Sequence, residues 1–309
     1  MSNKSLIYIA GPTSVGKTKL SLELAKKINT DIISCDSRQF YKEMRIGTGI
    51  PSYEELSEVN HHFIHHKSIK DIYTVGDFEK DAIKKLGKLF RTKNTIIMVG
   101  GSGMYADAVM FGLDKFPTIP TQIRNQINIF YQKHGLKSLQ KLLLEKDPKY
   151  YTRVDINNAK RLIRALEVCI TSNKPYSSFL GKQKNKRNFT SKMIFLNCPR
   201  NILYDKINNR VDFMIKSGLE LEVKNLLEYR DLSPLKTFGY KELFPYFDGT
   251  TSIKKAVDEI KKNTRRYAKR QITWFKKYDN AILLKPSISA DEIYNLLNNK
   301  QISEKQLPS

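Results

Sequence analysis

Residues 5–18 read Ser5-Leu-Ile-Tyr-Ile-Ala10-Gly11-Pro-Thr-Ser-Val-Gly16-Lys17-Thr18. The first six residues form an apolar run typical of a short buried strand, and the next eight fit the pattern G-x-x-x-x-G-K-[ST]. A helical pattern follows, with Leu20, Leu24 and Ile28 on one face. Strand, glycine-rich loop and helix in this order are the context of a P-loop, whose backbone N–H groups and helix N-terminus surround phosphate oxygens.

The loop therefore predicts a site for two or more linked phosphates, which need not belong to ATP. Its glycines allow close approach of the backbone, Lys17 supplies a positive charge, and the Thr18 hydroxyl can hold Mg²⁺. The alternative is an ordinary glycine turn before a helix. The predicted phosphate-binding residues of the loop are Gly11, Thr13, Ser14, Gly16, Lys17 and Thr18.

A carboxylate follows the next predicted strand, 31–35, at Asp36. Ligands of open α/β sheets lie beyond the carboxyl ends of the strands, so Asp36 should face the same crevice as the P-loop. There it could act as a general base, although a helix N-cap or turn role is an equally open alternative. The later predicted strand, 94–100, ends in Gly100-Gly101-Ser102-Gly103 and carries no second carboxylate.

Composition limits the possible partners of the chain. Its 309 residues include 54 Lys and Arg against 31 Asp and Glu, a formal charge of +23 that favours nucleic acid or an anionic membrane. No apolar run reaches the roughly 18 residues needed to span a bilayer. Three cysteines without C-x-x-C spacing and an N-terminus without a signal-peptide layout predict a cytoplasmic protein.

The positive charge is concentrated late in the sequence. Residues 1–60 hold eight basic and seven acidic side chains, whereas residues 182–210 hold eight and one, and residues 253–278 hold ten and two. The segment 253–278 reads as a long helix that mixes cations with aromatics, the composition of an RNA-binding surface. An alternative for Trp274 and Phe275 is simple burial in the core. The asymmetry favours an RNA substrate over a small metabolite.

Seven segments together resemble those of the bacterial tRNA dimethylallyltransferases, also called tRNA isopentenyltransferases. The resemblance extends from Ser5 to about Tyr278, and the segments occur in the order of that family. They are GPTSVGKT (11–18), ISCDSRQFY (33–41), IGTG (46–49), VGGSGMY (99–105), RLIRALEV (161–168), FGYKE (238–242) and AKRQITWF (268–275).

The patterns and the resemblance predict an α/β fold: a P-loop NTPase-like parallel sheet core flanked by helices, with a mostly helical insertion domain. We assign residues 1–116 and 198–309 to the core and residues 117–197 to the insertion. Phe116-Pro117 and the basic run 182–187 bracket the insertion, in which helices are predicted at 121–134, 136–146 and 157–171.

The family transfers a dimethylallyl group from its diphosphate to N6 of the adenosine just 3′ of the anticodon, in tRNAs that read codons beginning with U. The resemblance implies that the P-loop and Mg²⁺ at Thr18 hold the departing diphosphate. It also implies that Asp36 accepts the proton from the amine and that Arg210 grips the diphosphate. Without the resemblance, a solvated helix position would be the preferred interpretation of Arg210.

The resemblance further implies contacts with the anticodon stem-loop of tRNA, made by a chain expected to be a monomer. For Arg161 and Arg164 the alternative is an ion pair with Glu167. Four positions depart from the family: Ser102 replaces Thr, Lys160 replaces a frequent Gln, and Gly49-Ile50 replaces a common Ala-Lys pair. The predicted RNA-contacting residues are Asp36, Ser37, Arg38, Gln39, Ser102, Arg124, Lys160, Arg161, Arg164, Gly239, Tyr240, Arg266 and Arg270.

Three rival functions remain. The first is a P-loop kinase that phosphorylates a small hydroxyl compound with Asp36 as base, and the second is a non-catalytic RNA-binding protein. The third is prenylation of free AMP. The missing second carboxylate argues against the kinase, and the intact Lys17-Thr18 pair argues against a non-catalytic protein. The late basic segments argue against AMP as the substrate. The histidines of 61–66 have helical i,i+4 spacing, but Phe63-Ile64 favours a strand, so we expect no metal there.

Overall fold

The structure is a computed structural model that describes residues 4–181 and 186–298. In chain order, its strands and α-helices are β1 (Ser5–Ala10), α1 (Lys17–Lys27), β2 (Ile32–Ser34), α2 (Tyr53–Glu58), β3 (His61–His62), α3 (Val75–Leu89), β4 (Thr95–Val99), α4 (Gly103–Phe111), α5 (Thr121–Lys146), α6 (Pro148–Tyr151), α7 (Ala159–Ser172), β5 (Thr190–Leu196), α8 (Arg200–Lys216), α9 (Leu219–Lys224), α10 (Phe244–Phe247), α11 (Ile253–Phe275), β6 (Ile282–Leu284) and α12 (Ala290–Asn298).

The chain forms two compact units. One contains the residues up to Met110 together with those from Arg187 onward, and the other extends from Phe111 to Lys186. The predicted insertion was drawn to residue 197, but β5 pairs with β1 and therefore belongs to the sheet. The predicted boundary thus extends too far toward the C-terminus. Within the basic run 182–187 that was expected to mark it, residues 182–185 lie outside the described part of the chain.

The first unit is built on a six-stranded sheet with the order β3-β2-β4-β1-β5-β6. Every pairing between these strands is parallel, which confirms the predicted fold class. A parallel sheet needs apolar residues on both faces, because crossover helices cover both. Accordingly, Leu6 and Tyr8 of β1 belong to one buried cluster, whereas Ile7 and Ile9 belong to another.

The second unit is helical around a small apolar core. The predicted break between two helices near residue 135 is present, since α5 contains a kink at Gly135. Residues from both sides of the kink, among them Ile127 and Leu139, pack in one apolar cluster with Leu162 of α7. The third predicted helix, 157–171, corresponds closely to α7.

No helix in the described parts of the chain has both the length and the apolar character needed to cross a membrane. The histidine segment forms β3 and a loop, not a helix. Within it, His62 Nε2 forms a 2.8 Å hydrogen bond with the Asp31 carboxylate.

One buried side chain of α11 joins the loops that follow β1 and β4. Gln271 is only 4% exposed; its Oε1 accepts a 2.8 Å hydrogen bond from Thr13 N, and its Nε2 donates a 2.9 Å bond to Gly101 O. A Cβ on Gly101 would lie 1.9 Å from that Nε2, so the contact requires glycine there. Gln271 therefore fixes the separation of two glycine-rich loops at the carboxyl edge of the sheet.

We expect Gln271→Met, which keeps the side-chain length but neither hydrogen bond, to lower the free energy of unfolding by about 1–3 kcal/mol, since buried polar groups lose their partners. Denaturant titration followed by circular dichroism measures the change. Thr273→Ala, at an exposed position of the same helix, is the control and should change stability by no more than about 0.5 kcal/mol. Equal effects of the two substitutions would contradict the proposed bridging role.

Candidate active site

The P-loop presents unsatisfied donors to its cleft. Gly16 precedes α1 in a left-handed conformation, and the first turn of this helix has neither a side-chain cap nor an acidic residue. Its N-terminal N–H groups and the helix dipole therefore favour an anion. The Ser14 hydroxyl is buried in the loop and has no hydrogen-bond partner among the described residues, which suits a phosphate oxygen as acceptor.

Lys17 lies over the same loop. Its Nζ donates hydrogen bonds of 2.9 Å to Gly11 O and 2.8 Å to Pro12 O. Burial lowers the pKa of Lys17 to about 8, against an opposing effect of the Asp36 carboxylate and in the same direction as that of Arg210. The ammonium group is thus an incompletely compensated cation, which an anionic ligand would stabilise.

Asp36 follows β2 and lines one cleft with Lys17 and Thr18. The predicted crevice is therefore present. Asp36 also has the alternative turn role, because its Oδ1 accepts a 3.1 Å hydrogen bond from Arg38 N. That bond orients the carboxylate and leaves its second oxygen outside the turn. Further residues around the cleft are Ser21, Ser34, Gln39, Pro51, His61, Ile64, Val99 and Gly100.

The loop after β4 packs tightly against the Asp36 segment. A Cβ on Gly100 would lie 2.6 Å from Cys35 Sγ and 2.8 Å from Asp36 N, so these loops can approach only because Gly100 has no side chain. Ser102 Oγ accepts a 3.1 Å hydrogen bond from Ser37 N. Burial raises the pKa of the Cys35 thiol, which suits packing and not nucleophilic attack.

Arg210 reaches this region from α8. Its Nη2 donates a 3.2 Å hydrogen bond to Thr48 O. Burial lowers the pKa of Arg210, and Arg38 adds to that effect while Asp36 opposes it. The Arg210 guanidinium is therefore close enough to Arg38 and Asp36 for their charges to shift its pKa. The structure thus brings together the predicted cations Lys17, Arg38 and Arg210 around one carboxylate.

A second cavity, of about 360 Å³, lies beside Asp36 and contains four predicted RNA-contacting residues: Ser37, Arg38, Arg266 and Arg270. Burial raises the pKa of Tyr267 to about 12, and the nearby Asp36 carboxylate adds to that rise. The other residues that line this cavity were not individually predicted to contact RNA, although Asn263 and Tyr267 belong to the predicted RNA-binding helix. They are Lys236, Thr237, Phe238, Lys241, Asn263 and Tyr267.

Aromatic and cationic side chains are layered along this cavity. The Arg38 guanidinium lies 3.9 Å from the centre of the Phe238 ring, and Phe238 lies 4.7 Å from the centre of the Tyr267 ring. Arg270 lies over the other aromatic ring, 5.7 Å from the centre of Tyr267. Arg38 Nη2 also donates a 2.7 Å hydrogen bond to Phe238 O, which fixes the first layer.

Several predicted RNA-contacting residues have hydrogen-bond partners within the protein. Tyr240, one of them, has a fully buried side chain, and its hydroxyl donates a 2.7 Å hydrogen bond to Glu222. Gly239 N donates to Glu242 at 2.8 Å. Gln39 Nε2 donates to Gly49 O at 3.3 Å.

The predicted RNA-contacting cations of the helical unit divide into two groups. Arg124 Nε and Arg164 Nη1 both contact the Glu167 carboxylate, at 3.0 Å and 3.2 Å, so the ion-pair alternative holds for Arg164. Lys160 and Arg161 lie exposed at the start of α7. The described residues therefore include two predicted cations at that helix end that solvent or an RNA phosphate can reach.

Comparison with known proteins places this site in a family. The family described as IPP transferase matches residues 39–278. The tRNA dimethylallyltransferase of Flavobacterium psychrophilum is 52% identical over 301 residues, covering 96% of this chain and 98% of that protein. The tRNA dimethylallyltransferase of Christiangramia forsetii is 53% identical over 277 residues, covering 90% and 91%.

Solved structures agree with the sequence relatives. A tRNA isopentenylpyrophosphate transferase from Bacillus halodurans is 36% identical with a TM-score of 0.69, and 95% of each chain is covered. A eukaryotic dimethylallyltransferase acting on tRNA is 26% identical with a TM-score of 0.84, covering 99% of this chain and 81% of that one. This chain therefore belongs to the IPP transferase family, in which its sequence relatives are tRNA dimethylallyltransferases.

Proposed function

We propose that this enzyme transfers a dimethylallyl group from dimethylallyl diphosphate to N6 of an adenosine in tRNA. The adenosine is the one directly 3′ of the anticodon in tRNAs that read codons beginning with U. The supporting observation is that Asp36 lines one cleft with Lys17 and Thr18 of the P-loop, while the next two residues, Ser37 and Arg38, line an aromatic, cationic cavity. This arrangement suits a reaction in which a nucleobase displaces a diphosphate.

The diphosphate would bind on the P-loop side. Lys17 would exchange its hydrogen bonds to the Gly11 and Pro12 carbonyls for phosphate oxygens, and the Ser14 hydroxyl and the α1 N-terminus would add donors. As the allylic C–O bond breaks, its electron pair stays on the diphosphate. Cations preorganised around that oxygen stabilise the developing charge more strongly than the bound substrate.

The residues of this cleft fit Mg²⁺. Hydroxyls of Thr18 and Ser34 and the Asp36 carboxylate line it together, and Mg²⁺ prefers oxygen ligands and is commonly completed by substrate phosphates. Thr18 would hold the ion against the diphosphate, where it would supply charge neutralisation of the leaving group.

The adenosine would enter from the cavity beside Asp36. A base inside the anticodon arm must leave its stack, which costs a few kcal/mol that stacking on aromatic side chains offsets. The Phe238 and Tyr267 rings line this cavity, where the base would take the place of an arginine guanidinium that now lies over one of them. The N6 lone pair forms the new bond to the allylic carbon, and Asp36 accepts the N6 proton.

The cations around the cavity suit the phosphates that flank this base. Lys236, Lys241, Arg266 and Arg270 surround it, and the helical unit would contribute Lys160 and Arg161 to the anticodon arm. We propose that the enzyme acts as a monomer. Because its substrate is tRNA, we place it in the cytoplasm.

Asp36→Asn should reduce the rate of prenyl transfer by about 100- to 10,000-fold, because the amide cannot accept the proton. Mass spectrometry of tRNA nucleosides after reaction with dimethylallyl diphosphate measures the five-carbon unit on adenosine. Asp31→Asn is the control, since Asp31 pairs with His62 and does not line the cleft. Affinity for tRNA should be unchanged in both variants. Transfer by Asp36→Asn at the rate of the unchanged enzyme would remove Asp36 from the mechanism.

Transfer should also depend on the charge of Lys17. Lysine is charged below its pKa, so kcat/KM for dimethylallyl diphosphate should fall as pH rises through about 8. The measurement is a pH profile at saturating tRNA. Lys17→Arg keeps the charge throughout this range, so its profile, whatever its height, should lack the same decline. An identical decline in both profiles would assign it to another group.

Binding of an isolated anticodon stem-loop should weaken steeply with salt, because cations of the protein release counterions from the RNA. Arg270→Gln should lower affinity and reduce the slope of log K against log salt by about one. Gel shifts over a salt series measure both quantities. Arg91→Gln, at an exposed position outside the cavity, serves as the charge-matched control. A slope equal to that of the unchanged protein would show that Arg270 does not contact phosphate.

A further inference from the structure

The helical unit contains a buried carboxylate that lies between two surface arginines. Glu167, in α7, is only 4% exposed. Its Oε1 accepts a 3.0 Å hydrogen bond from Arg124 Nε at the start of α5, and its Oε2 accepts a 3.2 Å bond from Arg164 Nη1, one turn earlier in α7. The side chains of Arg124 and Arg164 are nevertheless 55% and 41% exposed. The carboxylate is therefore covered by two cations that remain about half open to solvent.

Stability alone does not explain a carboxylate at position 167. Burying a carboxylate is costly, and pairing with cations that stay largely in water recovers only a small part of that cost. An apolar side chain of similar volume would pack in the same place without the loss of solvation. The carboxylate of Glu167 is better explained by its effect on the two arginines.

Each guanidinium keeps donors for a second anion. An arginine carries five N–H groups in a planar fork, and Glu167 accepts one hydrogen bond from each arginine. Neither guanidinium has another carboxylate partner among the described residues, and Arg164 also lies 5.4 Å from the centre of the Phe116 ring. Arginine contacts with phosphate are frequently bidentate and depend on the orientation of the fork. With one N–H of each arginine held, the remaining Nη groups have a fixed direction.

The two arginines extend the exposed cationic end of α7. Lys160 and Arg161 are exposed there, and their spacing of four and three residues from Arg164 places them on its side of the helix. Glu167 ties Arg124 of α5 to the same group of residues. Because the carboxylate is buried, the surface that these four residues present is cationic although an anion lies beneath it.

We propose that Glu167 is a positioning residue for RNA binding, whose carboxylate holds the guanidiniums of Arg124 and Arg164 in place to contact phosphates of the anticodon arm. This inference rests on the proposed function, because it assumes that this surface binds tRNA. The ion pair and the RNA contact, alternatives for Arg164 on sequence grounds, are then compatible, since one guanidinium makes both. Glu167 itself touches no phosphate.

The substitution Glu167→Gln distinguishes positioning from simple charge repulsion by the sign of its effect. Removal of a negative charge near bound RNA should by itself tighten binding. If Glu167 positions the arginines, affinity for an anticodon stem-loop should instead fall by about tenfold, the effect of losing a hydrogen bond to a charged group. The slope of log K against log salt should fall by about one. Gel shifts over a salt series measure both, and Glu145→Gln, at an exposed position of the same unit, is the charge-matched control that should not weaken binding.

Kinetics test whether the effect is confined to binding. The KM for the stem-loop should rise with the loss of affinity while kcat stays unchanged, because Glu167 belongs to the helical unit and Asp36 to the other. Glu167→Asp is the second variant, for use also if Glu167→Gln does not fold. It keeps the charge but is one methylene shorter, so it should lose affinity without any change in net charge. Binding by Glu167→Asp equal to that of the unchanged protein would overturn the inference.

A mutant cycle separates this inference from the proposed function. In a protein that carries Arg124→Gln and Arg164→Gln, adding Glu167→Gln should not change the affinity further, whereas a merely structural role would cost affinity in either background. If the two arginine substitutions leave affinity unchanged, or if Glu167→Gln tightens binding, the positioning role is overturned while the proposed function stands. If the unchanged enzyme transfers no dimethylallyl group to tRNA, the proposed function fails and the inference fails with it.

Discussion

The site depends on how closely three loops can approach at the carboxyl edge of the parallel sheet. Strands β1, β2 and β4 are neighbours, so the loops that leave them must share a narrow space. Gly100 lies where a Cβ would meet Asp36 N at 2.8 Å, and Gly101 lies where one would meet Gln271. Because these positions have no side chains, the Asp36 carboxylate and the P-loop can share one cleft, with Gln271 holding the P-loop beside the β4 loop.

The electrostatics of the cleft follow from that crowding. Burial lowers the pKa of both Lys17 and Arg210, and each cation is influenced by Asp36. Partly buried cations that outnumber their local carboxylate are costly for folding. A ligand with several negative charges would offset this cost, so the P-loop side of the cleft suits such a ligand better than a neutral metabolite.

Sequence reasoning found the parts of the fold and site that local patterns encode. The motif at 11–18, the carboxylate at Asp36 and the break near residue 135 each follow from residue types a few positions apart. The positions of β1, β2 and β4 also followed, because buried parallel strands are continuous apolar runs. Local patterns could not reveal which residues contact each other when they lie far apart in sequence. Gln271, for example, contacts a backbone N–H that lies 258 positions earlier in the chain. A single sequence contains no signal for such a pair.

The same limitation explains the error at Tyr240 and the oversight at Phe238. Both belong to the FGYKE segment, and an aromatic residue in a basic protein could equally bind a base or fill a core. In the structure Tyr240 fills the core, because the Glu222 carboxylate accepts a hydrogen bond from its hydroxyl. The same carboxylate accepts hydrogen bonds from the backbone N–H groups of residues 45–47. Tyr240 thereby turns inward to support the loop whose next carbonyl, that of Thr48, accepts a hydrogen bond from Arg210. Phe238, two residues earlier, is left beside Arg38 at the cavity. One segment therefore contributes a tyrosine to the core and a phenylalanine to the lining of the cavity.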